Sequence, residues 1–306
     1  MSISKKPNMT LSKYMSMHKR NNNPEFTHTI IPNHPHHYGG SYNISDDQYK
    51  TFLDIYHHEV FVKNKECYLT EKHKDFSPVL IDLDFRFPLT IKKRIYTQSF
   101  IEEYLSIYMK EASSILDFKG HTTIFVLEKK NIKIDESKNV VKDGIHIMIP
   151  SILTIPRIQY MLRYRMITNS RINELLENMG IINPVEDVID IYVIEKNNWQ
   201  MYGSQKPNCE AYDVTKIYDY MNSKLKPLGL DKYNKRQLLD LLSIRNKNKK
   251  DICLIKEDEL EKLNDEYTKL PQKHKIRKQQ KPVIRQKKKK SPSRINMNFT
   301  ENLEKI

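Results

Sequence analysis

The chain is poor in the residues that build cross-links, flexible turns and phosphate loops. Its 306 residues hold three cysteines and seven glycines, and its only alanines are Ala112 and Ala211. Cys67, Cys209 and Cys253 stand singly with no C-x-x-C spacing. Neither a zinc finger nor a disulfide framework is indicated, and a reducing, intracellular setting fits. None of the glycines begins a G-x-x-x-x-G-K-[ST] loop, so the sequence carries no P-loop ATPase motif. No apolar run approaches the roughly 18 residues needed to span a bilayer, so no membrane association is expected. The opening MSISKKPNMTLSKYM lacks the apolar stretch of a secretory signal. The scarcity of alanine beside abundant Lys, Asn, Ile and Tyr is what an AT-rich genome gives and says little about function.

Charge is plentiful but unevenly placed. The net charge is +14. Residues 271–295 (PQKHKIRKQQKPVIRQKKKKSPSRI) hold 11 Lys or Arg and no acid; removing those 11 from +14 leaves +3 for the rest of the chain. The basic signal therefore belongs to a tail that includes Lys287, Lys288, Lys289 and Lys290. Such a run binds nucleic acid, acts as a localisation signal, or is a solvated linker. The expected organisation is a flexible start over 1–24, a catalytic domain over 25–250, a charged helix or linker over 251–270, and a basic, disordered tail over 271–306.

Within the domain, helices and strands alternate, which predicts an α/β or α+β fold with a mixed sheet and flanking helices. A helix is expected near Ser45, with Asp46 and Asp47 in its first turn. Strands are expected over 66–70 and 121–128. Ser99 with Glu102 makes a capping-box pattern before a helix of about twenty residues. Pro156 and Gly180 frame another helix. Its Arg157, Arg163, Arg165 and Arg171 are either solvated surface or contacts to a polyanion's backbone. Residues 211–245 are expected to be helical, with a break near Pro227.

Three segments carry the chemistry: Val79–Phe87 (VLIDLDFRF), Gly144–Pro150 (GIHIMIP) and Val188–Val193 (VIDIYV). In each, the odd-numbered residues are apolar, and a strand places i and i+2 on one face. If the three strands share a sheet, Asp82, Asp84, Asp190 and His146 stand together on the other face. Two aspartates on one strand, their Cα atoms about 6.5–7 Å apart, suit a pair of divalent ions. Two such ions can activate an attacking hydroxyl and stabilise a leaving oxygen in phosphoryl transfer. His146 can donate to a phosphate, with Lys142 or Lys206 adding positive charge. The plainer alternatives are a polar strand face and a structural histidine. The histidines at 34, 36, 37, 57 and 58 could also bind metal, but they lack cysteine partners.

At these residues the chain resembles the archaeo-eukaryotic primase superfamily, especially its primase-polymerase branch and the primase domain of primase-helicases from large DNA viruses. That family's Asp-x-Asp strand is matched by LIDLDFRF. Its Ser-x-His after a basic residue is matched by Lys142-Asp143-Gly144-Ile145-His146. Its third motif is matched by DIYVIEKNNWQMYGSQK, with Asp190, Asn198, Trp199, Ser204 and Lys206. The segments YGGSYNISDDQY, LTEKH and LLSIRN are also similar to the viral branch. The resemblance implies an archaeo-eukaryotic primase-like fold and a template-dependent nucleotidyltransferase. Asp82, Asp84 and Asp190 would hold two Mg²⁺ or Mn²⁺ ions. His146, with Lys142, Gly144, Ser204 and Lys206, would bind the nucleoside triphosphate. The template would be single-stranded DNA, and the partner a replicative helicase in trans or on a longer chain. The setting would be a viral replication site in the host cytoplasm or nucleus. Two departures stand out: Gly144 replaces the usual serine, whose contact its N–H could take over, and Gln200 stands where the family often has arginine. Readings outside the resemblance are a non-catalytic nucleic-acid-binding module and another metal-dependent Asp-x-Asp enzyme, such as a nuclease or glycosyltransferase.

Overall fold

The segment around Asp82 forms an eleven-residue strand, Ser77–Phe87, and the segment around His146 a fifteen-residue strand, Val140–Thr154. These two pair antiparallel, and the rest of the chain is built on them. The computed structural model describes residues 9–20, 25–32, 39–118 and 121–275. In chain order the elements are α1 (Leu11–Met17), β1 (His28–Ile30), β2 (Gly40–Tyr42), α2 (Tyr49–His57), β3 (Leu69–Glu71), β4 (Ser77–Phe87), α3 (Gln98–Ile115), β5 (Leu116–Asp117), β6 (Thr122–Glu128), β7 (Lys133–Asp135) and β8 (Val140–Thr154). They continue with α4 (Pro156–Thr168), α5 (Ser170–Asn178), α6 (Val185–Val188), β9 (Trp199–Gln200), β10 (Asp213–Met221), β11 (Lys224–Leu228), α7 (Lys235–Leu242), β12 (Leu254–Ile255) and α8 (Leu260–Lys269).

The main sheet has the order β11-β10-β6-β8-β4, with β7 also paired to β8, and a smaller sheet has the order β2-β1-β3-β9. The class is α+β, as expected. The strand pairs are antiparallel, however, where a mixed sheet was anticipated. The odd-numbered residues of 79–87 and 144–150 share one apolar face, as predicted; beyond them on β8 stands Asp143, paired with Arg94. Ile81, Leu83, Phe85, Phe87, Ile145, Ile147 and Ile149 pack with Tyr104 of α3 and Met161 and Leu162 of α4 in one buried cluster. Each fully buried side chain of this size stabilises by about 1.5–3 kcal/mol.

The opposite face is not open along its whole length. Leu80, Phe125, Leu127, Met148 and Ile217 face a second cluster that includes Phe52 and Tyr56 of α2 and Leu239 of α7. On β4 this apolar cover gives way to carboxylates between Leu80 and Asp82.

Several local expectations shift for identifiable reasons. Thr97, not Ser99, caps α3, its side chain accepting from Phe100 N at 3.3 Å. The helix expected over 156–179 is two helices, because the Asn169 side chain accepts from Arg171 N and Ile172 N and so starts α5. Residues 211–245 are mainly a hairpin, β10–β11, followed by α7. Its turn residues Asn222 and Ser223 both have positive φ (50° and 59°), the backbone a two-residue hairpin turn demands. Val214, Ile217 and Tyr220 are buried against the sheet, so packing overrides helix propensity there. The α8 segment, which falls in the stretch expected as a charged helix or linker, is helical and docks on the core through Leu263, with Leu270 following.

The three upstream and downstream segments singled out above meet in space. Tyr49 of YGGSYNISDDQY donates to buried Glu71 of LTEKH. Ser243 of LLSIRN donates to the same carboxylate at 2.6 Å, and Ile244 N does so at 3.0 Å. Burial pushes the Glu71 carboxyl up, and these donors offset part of that cost. Replacing Tyr49 with Phe removes one donor from a buried acceptor. Urea unfolding of Tyr49→Phe is expected to show a loss of about 1–3 kcal/mol.

Candidate active site

The site is laid out by cross-strand register. Asp82 lies opposite His146 and Asp84 opposite Gly144 on the paired β4 and β8 strands. Gly144 is required by close approach: a Cβ there would stand 2.8 Å from the Leu83 carbonyl oxygen, 3.3 Å from the Tyr212 hydroxyl and 3.5 Å from Asp84 Oδ1. The serine usual at this position in the family would therefore crowd the β4 backbone.

Asp190 reaches the site by a different route from the one expected. Residues 188–193 are not a strand. Pro184 precedes the helical turn α6, and Ile189 makes only a single bridge, to Leu83. Ile189, Ile191 and Val193 enter three different apolar clusters, whereas a strand would keep them on one face. The segment instead lines the outer edge of β4. Ile182 N donates to Arg86 O at 2.9 Å, and Asp190 N to Asp82 O at 3.0 Å. Asn183 donates through Nδ2 to Asp84 O and accepts at Oδ1 from Arg86 N, both at 2.9 Å. Buried Arg163 fixes this segment, donating through Nε to Ile189 O and through an Nη to Glu186 O, each at 2.7 Å.

The three aspartates share one electrostatic field. Burial pushes the Asp82 carboxyl up, but His146 beside it, with Lys206 and Lys129, outweighs burial and holds it below the usual carboxylate range. Burial and then the charge of Asp82, with a smaller contribution from Asp190, raise Asp84 to about 6. Asp84 is exposed on the cleft side, so water tempers the burial contribution. Burial also raises Asp190, opposed by the hydrogen bond from Tyr192 N at 2.9 Å and supported by the charge of Asp82. Asp84 and Asp190 line one open cleft with Arg86 and Tyr192.

Asp82 Oδ1 is buried without a hydrogen-bond partner, and His146 Nε2 stands 3.5 Å away. An orphaned carboxylate oxygen beside a raised carboxyl suits a hard cation. Among the described residues, no group of three or more His, Cys, Asp or Glu side chains is arranged to hold a metal. The neighbouring carboxylates of Asp82 and Asp84 suit Mg²⁺, which takes one or two carboxylates and leaves its other positions to water and phosphate oxygens.

His146 is held between two aromatic rings. Tyr212 stacks on it at 3.6 Å between centroids and 18° between planes, and Trp199 lies at 4.6 Å and 37°. Tyr212 was not anticipated, because it falls within the stretch expected to be helical. Lys129 was also missed. Its ammonium lies 4.6 Å over the Tyr212 ring, and its charge and that of Lys206 act on Asp82. Its position directly after a strand, in the pair Lys129-Lys130, was the available signal.

Other predicted residues are otherwise engaged. Lys142 stands opposite Arg86 and pairs with Asp135 at 2.6 Å. Ser204 lies beside His146 in the same small cavity, but its hydroxyl is shared with Tyr56 at 2.9 Å and accepts from Leu69 N at 3.1 Å. Asn198 donates to Thr29 at 3.1 Å and Thr70 at 3.3 Å. In the same cavity, Gln200 Nε2 is buried and unpartnered. The arginines considered for a polyanion backbone are occupied within the fold. Arg163 is buried, Arg165 pairs with Glu111 and Glu266, Arg171 pairs with Glu103 and Glu174, and Arg157 lies over the Tyr267 ring. His57 packs on Phe61. His34, His36, His37 and Lys287–Lys290 lie outside the described residues. No helix among the described residues is long and apolar enough to cross a membrane.

The chain carries a domain of the archaeo-eukaryotic primase (AEP) class, of the nucleotidyltransferase superfamily. The family described as the C962R protein N-terminal AEP domain matches residues 27–218, and the chain belongs to that family. A curated protein of Acanthamoeba polyphaga mimivirus, named "Putative helicase L207/L206", is 31% identical over 217 residues. The match covers 70% of this chain and 22% of that protein, so the chain spans about a fifth of the relative's length.

Two outcomes follow from this geometry. Arg163→Lys loses the fork that holds two carbonyls, and chemical denaturation is expected to show a loss of about 3 kcal/mol. The second concerns pH. The folded-state value of Asp84, about 6, lies above the usual 3.8. Ionising Asp84 therefore costs stability. The cost is absent below about pH 4 and complete above about pH 6. Asp84→Asn removes it, so in EDTA the variant should melt higher than the wild type at about pH 8 and the same at about pH 4.

Proposed function

We propose that the domain is a DNA primase or primase-polymerase, joining nucleotides on a single-stranded DNA template. The observation that carries this reading is the juxtaposition on paired strands of Asp82 with its orphaned oxygen, raised Asp84, and ring-clamped His146, with Asp190 bonded to the Asp82 backbone. In the reaction a hydroxyl of the growing strand attacks the α-phosphorus of a nucleoside triphosphate, the hydroxyl proton is lost and pyrophosphate leaves. Mg²⁺ or Mn²⁺ held by Asp82 and Asp84, with Asp190 beside them, would supply Lewis-acid charge to this transfer.

The chain's own groups do the rest. Tyr212 and Trp199 fix the His146 ring so that its nitrogen meets a phosphate oxygen without reorganisation. Lys129 and Lys206 add positive charge beside the carboxylates. Gly144 leaves room at the strand surface, and the free donor of Gln200 offers a further contact where the family often has arginine. Lys142 and Ser204 act one step removed, through Asp135 and Tyr56. The basic residues 271–306 would add non-specific affinity for the template. A replicative helicase, in trans or on a longer chain, is the natural partner, since the mimivirus relative is named a helicase.

The test is primer synthesis on single-stranded DNA with nucleotides and Mg²⁺ or Mn²⁺. Asp82→Ala with Asp84→Ala is expected to lower the rate at least about a thousandfold, equal to about 4 kcal/mol of transition-state stabilisation. Mn²⁺ should raise the melting temperature of the wild type and not of the double variant. Synthesis that survives in the double variant, or DNA degradation in place of synthesis, would overturn the reading.

A further inference from the structure

A second site lies on the same sheet face as His146, at the other end of the strands. A groove of about 1060 Å³, open to solvent, runs beside Phe76 before β4, Phe125 on β6 and Pro150–Ser151 on β8. It opens where the β4–β8 register shifts. Pro78 pairs with Leu153 and Val79 with Ile149, so residues 150–152 have no partner on β4. Pro150 is four residues from His146, roughly 13 Å along the strand at about 3.3 Å per residue.

We propose that this groove binds single-stranded nucleic acid, separately from the carboxylate site. Its cations come mainly from one short segment after α7: Arg245, Lys247 and Lys249, with Lys74 from another wall. The acids lining it are Asp46 and Asp251, and Asp46 is paired with Lys74 at 3.1 Å. Arg245 donates through Nη1 to Lys72 O at 2.8 Å, while its Nε is buried with no hydrogen-bond partner. Burial holds Lys247 down to about 8, its Nζ bonded to Leu241 O at 2.7 Å. A phosphate beside these groups would offset the cost of their burial.

The groove also offers a flat apolar surface. Tyr233 is half-buried in the wall, its ring 5.6 Å from that of Phe125. Aromatic rings interleaved with cations are what stacked bases and their phosphates need. The open form favours a strand over a single nucleotide, because small-ligand pockets enclose 70–90% or more of the ligand's surface.

The test uses the full chain and a fluorescein-labelled oligothymidylate, followed by anisotropy over a salt series. Lys247→Gln with Lys249→Gln should weaken binding about tenfold and reduce the slope of log K against log salt by about 1.4, two phosphate contacts. Tyr233→Ala should weaken binding about tenfold with the slope unchanged. Asp251→Lys removes an exposed acid from the groove and should tighten binding, an outcome that misfolding cannot imitate. Unchanged affinity and slope in the lysine variant would assign binding to the basic residues 276–306 and overturn the proposal. Displacement of the probe by ATP at ATP's own dissociation constant would overturn it in favour of a mononucleotide pocket. The proposal does not depend on primer synthesis. The lysine variant should keep the Mn²⁺ melting shift, and Asp82→Ala with Asp84→Ala should keep probe binding, so the two readings fail separately.

Discussion

The register of β4 on β8 is the constraint on which the rest depends. Side chains alternate with a period of two, so a slip of one residue would exchange the faces of a strand. It would send Asp82 and Asp84 into the cluster of Ile81, Leu83 and Phe85, and bring those side chains to the cleft. Apolar burial on the odd-numbered face therefore enforces the placement of the polar even-numbered residues. The Leu83 carbonyl adds a second lock, since it leaves no room for a side chain at position 144. The carboxylates and His146 stay on one face because hydrophobic packing on the far side of the sheet forbids a one-residue slip.

The edge of β4 shows how a fold brings a distant acid into such a site without a further strand. An edge strand presents unpaired backbone groups. Here Ile182, Asn183 and Asp190 satisfy several of them, and in doing so deliver Asp190 to the Asp82 backbone. Arg163 from α4 then ties Glu186 and Ile189 in place from behind. A guanidinium that looked like surface charge in the sequence is a buried brace. The electrostatic consequence is like-charge crowding, with Asp84 and Asp190 both raised. Such crowding costs folding energy and is relieved by positive charge, whether from Lys129 and Lys206 or from a cation.

The two faces of the sheet explain the division of labour across the molecule. One face is mainly apolar and rests on α3 and α4, with buried Asp143 and Glu128 paired to Arg94 at its end. The other is apolar where α2 and α7 cover it and polar beyond, so the carboxylates sit at one end and the open groove at the other. The Tyr49–Glu71–Ser243 network joins α2, β3 and the segment after α7, the same segment that carries Arg245, Lys247 and Lys249.

Much of this was legible in the residues. The β4 and β8 alternation, the strand before Glu128 and the helix starting at Pro156 followed from periodicity and capping chemistry. Motif order supplied the family. Other features were not legible. VIDIYV alternates like a strand, yet Pro184 starts a helical turn just before it, and six residues are too few to settle which pattern wins. The stretch after Tyr212 has the polar spacing of a helix, but cross-strand packing against β6 made it a hairpin. Tyr212 and Lys129 join the site through tertiary contact alone, and Ser204 and Lys142 are taken by partners far from them in sequence or across a turn. By itself the sequence determined which residues are acidic, basic or apolar, and so which faces must be buried. Only the tertiary structure decided which charges meet, because hydrogen bonds and like-charge repulsion depend on distance, and distances between remote segments are set by packing.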